Sequence, residues 1–233
     1  MSLPLNTPAH TLEAFEVDRY NMVEQQIRPW NVSDPEILAL LGRMRREDFV
    51  PAVYRNLAFS DLEIPLRAGA AGEGPAMLAP KVEARILQDL HVQPHESVLE
   101  IGTGSGFMAA LLGQRARQVL TLEIDPDLAV QARQRLEACG ATNVMVRVAD
   151  GAQGVAADGA FDVIVLSGSV AAVPKALLEQ LKPGGRLFAI VGDEPMMRAT
   201  IVTRGDSGFS TRQPWDFVTP RLQNFAEPSR FAF

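Results

Sequence analysis

Apolar residues recur at helical spacing in two early stretches of the chain. Leu12, Phe15, Met22, Val23 and Ile27 predict a helix that starts at Thr11 and stops at Arg28-Pro29. A second helix opens with Asp34 as N-cap and Pro35 in its first turn. It carries Ile37, Leu38, Leu40, Leu41 and Met44, and the run Arg45 to Pro51 closes it. Residues 58–66 read as mixed and extended, and a Gly/Ala-rich loop runs from Arg67 to Pro80. Loops of that length in a compact domain are more often functional than idle, and Met77-Leu78 within it are expected to pack down. A further helix spans Lys81 to Leu90.

From Val98 onward the pattern alternates. Strands are expected at Val98–Ile101, Gln118–Ile124, Asn143–Val148, Phe161–Leu166 and Arg186–Val191. Helices fall between them: one opening at Ser105-Gly106, one from Asp125 to Cys139 with Gly140 as C-cap, and one from Pro174 to Leu181. Such alternation predicts an α/β fold, a doubly wound and mostly parallel sheet with helices on both faces. Ala199–Arg204 and Phe209–Phe217 flank Gly205-Asp206-Ser207-Gly208 as an antiparallel C-terminal hairpin. Apolar Leu222, Phe225, Phe231 and Phe233 make the tail a docking segment. Residues 1–10 are polar and proline-bearing and read as disordered.

Composition narrows the function. The 233-residue chain has a formal net charge of −6, which argues against a nucleic-acid partner. No apolar run approaches a membrane span and no signal peptide is evident, so a cytoplasmic, soluble protein with no membrane partner is expected. Cys139 is the single cysteine, and His10, His91 and His95 form no ligand pair, so no metal site is expected.

The chemistry gathers at Glu100-Ile101-Gly102-Thr103-Gly104-Ser105-Gly106, where a buried strand runs into a glycine-rich turn and a helix start. Bare glycine lets a ligand approach the main chain, and a helix N-terminus favours negative charge. A dinucleotide fingerprint would need a third glycine where Phe107 stands, which disfavours a nicotinamide dehydrogenase. The acid at each following strand end extends the pattern. Glu123, before Ile124, can accept ribose hydroxyls, and Asp150, before Gly151, can accept from an adenine amino group. Helix capping is the structural alternative for both acids. Ser167-Gly168-Ser169, after the fourth strand, offers small polar groups where a substrate could approach.

The acidic-x-G-x-G-x-G turn resembles the first motif of class I S-adenosylmethionine-dependent methyltransferases. Over residues 22–192 the chain resembles the protein-L-isoaspartate O-methyltransferase family. The resemblance is carried by Met22-Val23-Glu24-Gln25-Gln26-Ile27, Arg46-Glu47-Asp48-Phe49-Val50-Pro51, Ala58-Phe59-Ser60-Asp61 and Leu178-Glu179-Gln180-Leu181-Lys182-Pro183-Gly184-Gly185. It implies one methyltransferase domain over 11–233: an N-terminal helical and substrate-loop region (11–80), a cofactor-binding core (81–192), and a hairpin and tail (193–233). It also implies S-adenosyl-L-methionine as cofactor, bound by Glu100, Gly102, Thr103, Gly104, Gly106, Glu123, Ile124, Asp150 and Gly151. The methyl acceptor would be the α-carboxylate of an isoaspartyl residue in a damaged protein or peptide, held near Met77, Leu78, Ser167, Gly168 and Ser169.

One departure bears on the acceptor. The family's loop reads Gly-Gln-Thr-Ile-Ser-Gln-Pro, its serine an active-site residue. Here Gly74 and Pro80 remain, but Ala76 replaces the threonine and Leu78 the serine. An ionised carboxylate acceptor needs no general base, so no catalytic side chain is assigned. The loss of both hydroxyls leaves open a different acceptor, including a small molecule, and a non-catalytic S-adenosylmethionine-binding protein.

Overall fold

The computed structural model describes residues 12–67 and 74–227. The expected disorder of residues 1–10, the helix start at Thr11, and Phe231 and Phe233 lie outside that range.

Helix α1 (Leu12–Met22) continues through a π-turn over Val23–Ile27 and a 3-10 turn over Arg28–Trp30, ending where Asn31 turns left-handed at φ 60°. Pro29 does not stop the chain at Arg28. It sits in the first positions of that 3-10 turn, where its missing N–H is no loss. Helix α2 (Pro35–Arg43) starts as its sequence dictates, with Asp34 accepting from the backbone N–H groups of Glu36 and Ile37. A short antiparallel pair, β1 (Ile64–Pro65) and β2 (Ala76–Met77), brackets the Gly/Ala-rich loop. Helix α3 (Pro80–Leu90) then leads into the main sheet.

That sheet takes β3 (Ser97–Ile101), β4 (Gln118–Glu123), β5 (Val144–Val148), β6 (Phe161–Val170), β7 (Leu181–Asp193), β8 (Met196–Gly205) and β9 (Gly208–Asp216) in the order β5-β4-β3-β6-β7-β8-β9. Strands β3 to β7 are parallel, and β7-β8-β9 form an antiparallel meander at one edge. The hairpin expected at the C-terminus is therefore two strands of the sheet itself, joined to it through a second tight turn at Glu194-Pro195.

Alternate residues of the central strands feed two cores. Val98, Val163 and Val165 pack with α3, α4 (Phe107–Gly113) and α5 (Pro126–Ala138) on one face. Leu99, Ile101, Ile164 and Leu166 pack on the other. Among the described residues, full-length helices cover only the first face. The second is covered by the single turn α6 (Lys175–Leu178), whose Leu177 is fully buried, and by tail residues Leu222 and Phe225. The helix expected over Pro174–Leu181 shrinks to that turn because β7 already begins at Leu181. No helix among the described residues is long and apolar enough to cross a membrane.

Arg46 joins the N-terminal region to the core. It is fully buried, pairs with Glu83 of α3, and donates to the carbonyls of Ala58 (2.9 Å) and Leu78 (2.6 Å). Its guanidinium also stacks over Phe107, 5.0 Å from the ring centre.

Candidate active site

Parallel strands place their C-terminal tips at one edge of the sheet, and the chain leaves β3 and β6 in opposite directions there. A crevice opens at such a switch point. A cavity of about 570 Å³ lies there, lined by Ile101, Gly102, Gly104, Glu123, Ile124, Asp150, Gly151 and Ser167 from the strand ends. Gly74 to Ala76 and Leu78 wall it on one side, and the tail from Val218 to Phe225 on the other.

Glu123 is the acid best placed in this cavity. It is buried but lines the space, and its two oxygens accept from the backbone N–H groups of Gly104 (2.7 Å) and Asp125 (3.0 Å). Burial pushes its carboxyl up, and the backbone bonds pull it back. Each carboxylate oxygen has a second lone pair, so acceptor capacity remains for a ligand hydroxyl. Helix α5 is capped by Asp125, not by Glu123. Asp150 does two things at once. One oxygen caps the turn at Ala152 and the other accepts from Asn224 of the tail at 2.9 Å, while the side chain faces the cavity.

Glu100 sits differently from the sequence expectation. It is completely buried and does not line the cavity, because the chain turns outward only after Ile101. Its carboxylate accepts from Thr121 (2.6 Å) and from Ser167 (2.7 Å), and Ser167 is the residue that reaches the cavity. Burial raises its pKa to about 8, against the pull of those two bonds. Thr103 is likewise behind the wall, its hydroxyl 2.6 Å from that of Thr121.

The glycines divide by role. Gly104 has φ +51°, and an added Cβ would meet Leu66 at 3.1 Å. Gly106 does not reach the cavity; it lets α4 approach α5, since a Cβ there would press on Ala132. Gly151 is bare because a Cβ would lie 2.2 Å from Ile101.

Of the expected acceptor-side residues, Leu78 and Ser167 line the cavity. Met77 turns into the core instead, as strand alternation across β2 requires. Gly168 and Ser169 serve the tail. A Cβ on Gly168 would sit 2.9 Å from Leu222, and Ser169 holds the tail through its backbone and through its hydroxyl on Thr219. The tail contributions from Thr219 to Phe225, and Glu63 before β1, were missed by sequence reasoning. Only the apolar spacing of Leu222 and Phe225 hinted at the first, and nothing local marks Glu63.

The sequence profile of the family described as protein-L-isoaspartate(D-aspartate) O-methyltransferase matches residues 18–219. The chain belongs to this family. A relative from Koribacter versatilis, named protein-L-isoaspartate O-methyltransferase, is 38% identical over 205 residues, covering 88% of this chain and 90% of the relative. Another of the same name, from Methanoculleus marisnigri, is 39% identical over 175 residues, covering 75% and 77%. A solved protein-L-isoaspartate O-methyltransferase superposes with TM-score 0.73 at 23% identity, over 90% of this chain and 66% of that one. A Plasmodium falciparum structure described as a putative member, solved with S-adenosyl-L-homocysteine, gives TM-score 0.72 at 16% identity, over 88% and 98%. As a member of this family the chain is an S-adenosylmethionine-dependent methyltransferase.

The cavity suits that cofactor. Its volume falls in the range of small-molecule sites. It offers approachable backbone at Gly102 and Gly104, an acid with free acceptor capacity at Glu123, a second polar edge at Asp150, and apolar walls from Ile101, Leu122 and Phe225.

Proposed function

We propose that this chain transfers a methyl group to the α-carboxylate of isoaspartyl residues in damaged proteins and peptides, a repair reaction. The observation that carries the reading is the strand-tip cavity, with Glu123, Asp150 and the glycine turn on one wall and the Gly74–Leu78 loop on another. Family membership over residues 18–219 supports it. The single free cysteine, Cys139, suits the reducing cytoplasm in which we place the protein.

In this reading Glu123 takes the ribose hydroxyls, Asp150 the adenine amino group, and the backbone at Gly102 and Gly104 the methionine end. Ile124 and Gly151 flank the base. Glu100 and Thr103 act from behind, with Glu100 fixing the Ser167 hydroxyl at the cavity wall. S-adenosylmethionine, when bound, supplies a methyl group on a positively charged sulfur. The acceptor carboxylate is already ionised at neutral pH, so the protein need not remove a proton. Its contribution is alignment and exclusion of water: the Gly74–Leu78 loop, Ser167 and the tail hold the acceptor oxygen in line with the methyl group.

The acceptor loop supports a second reading. Ala76 and Leu78 both line the cavity and neither carries a hydrogen-bonding side chain, which favours a more apolar acceptor, protein or small molecule. Incubation of isoaspartyl and ordinary aspartyl versions of one peptide with labelled cofactor decides between them. Base-labile methyl ester on the isoaspartyl peptide alone is expected. Its absence, with cofactor binding intact, would transfer the weight to the second reading.

A further inference from the structure

The acceptor side of the cavity has lost two hydroxyl positions, but it is not purely apolar: Glu63 faces the same space. Glu63 stands just before β1 and accepts from the Thr219 hydroxyl at 2.5 Å through Oε1. Among the described residues nothing bonds its Oε2, and it forms no ion pair. The Thr219 bond ties the segment before β1 to the tail, so the carboxylate is held at the cavity wall between them. Glu194, exposed at the turn between β7 and β8, lines the same cavity and is also without an ion pair among the described residues. Among the described residues Arg221 is the one basic residue lining the cavity, and each of its guanidinium nitrogens already has a partner: the Gly192 carbonyl (2.8 Å), Asp193 (2.5 Å) and Glu227 (3.0 Å).

An acceptor that brings a carboxylate into this cavity meets an unpaired, half-buried carboxylate and, among the described residues, no cation without a partner. Like charges brought together at a partly desolvated site disfavour binding, and a site can select partners through such repulsion as much as through attraction. A positive charge on the acceptor close to the reacting carboxylate would both occupy Oε2 and cancel the repulsion. We propose that Glu63 is a specificity-determining residue, selecting acceptors that carry a lysine, arginine or free amino group beside the methylated carboxylate and rejecting acidic neighbours. This rests on the carboxylate-acceptor reading above. Burial raises the Glu63 pKa while the Thr219 bond lowers it, as a charge short of water and short of a partner requires.

The test uses three isoaspartyl peptides that differ only in the next residue, Lys, Gln or Glu. Their binding to the full-length protein saturated with S-adenosylhomocysteine is read by fluorescence anisotropy, and methyl ester formation is followed separately. The expected Kd order is Lys, then Gln, then Glu, with about a tenfold spread that shrinks as salt is raised. Glu63→Gln, which keeps an acceptor for Thr219, collapses the spread to about twofold, and Glu194→Gln narrows it less because the rim is more exposed. Equal affinities in the unmodified protein, or an undiminished spread in a folded Glu63→Gln, would overturn the proposal. The charge order without any methyl ester would defeat the repair reading and leave this selection standing.

Discussion

Glu100 is wholly buried and holds its proton more tightly than an exposed carboxyl, its pKa raised from 4.5 to about 8 mainly by desolvation. The native protein therefore retains a proton that the unfolded chain has lost, and stability falls as pH rises through that window before levelling above it. Glu83, raised to about 7 by burial despite its Arg46 partner, contributes in the same direction. Glu100→Gln is expected to flatten this decline by an amount on the order of a few kcal/mol between about pH 5 and pH 8, read from urea midpoints at the two pH values. An unchanged slope would mean that the group is ionised throughout. Gly104 tests the other half of the turn. Its φ of +51° and the 3.1 Å approach to Leu66 leave no room for a β-branched side chain. Gly104→Val should weaken S-adenosylmethionine binding by about tenfold or more in calorimetric titration, through strain and displacement of the wall. Unaltered affinity would move the cofactor elsewhere.

At the scale of elements, Arg46 ties the loop after α2 to Ala58, to Leu78 and to α3. Removing one member of a buried pair strands the other, at roughly 3–5 kcal/mol. Arg46→Ala should lose about that much in denaturant unfolding, and Glu83→Gln should lose less because the amide oxygen still accepts from Arg46, which also keeps the Ala58 and Leu78 carbonyls. Equal, small losses would show that the pair contributes little. These elements were legible to different degrees. Asp34 and Pro35 announced α2 because capping is local, and Val98–Ile101 announced β3 because an apolar run broken only by Glu100 and followed by glycines has few other uses. The extension of β6 to Val170 was not legible, since it depends on Ser169 pairing with β7 and with the tail. Nor was the one-turn length of α6, which is set by where β7 begins. Lys182-Pro183-Gly184-Gly185 looks like a turn yet belongs to that strand's irregular start.

Over the whole molecule, the sheet face without long helices is closed by the last described stretch of chain. Leu222 nests against the bare backbones of Gly102 and Gly168, Asn224 bonds Asp150, and Ser169 and Arg221 anchor the strap between them. Sequence alone singled out Glu123 and Asp150, which line the cavity, but not this wall, because its contacts join residues far apart in the chain, 50 positions from Ser169 to Thr219 and 74 from Asp150 to Asn224. A chain ended at Phe217 should lose about tenfold or more in cofactor affinity, since a cavity open on one side no longer excludes water. Retained affinity in a folded truncation would confine the tail to a structural part. The account stands or falls on where the cofactor lies, and a crystal structure with S-adenosylhomocysteine measures that directly. It is expected to show the ribose on Glu123, the adenine edge at Asp150 and the amino-acid end along Gly102–Gly104, with the sulfur facing Leu78 and Glu63. Ligand bound outside this cavity, or with its sulfur turned away from that loop, would contradict it.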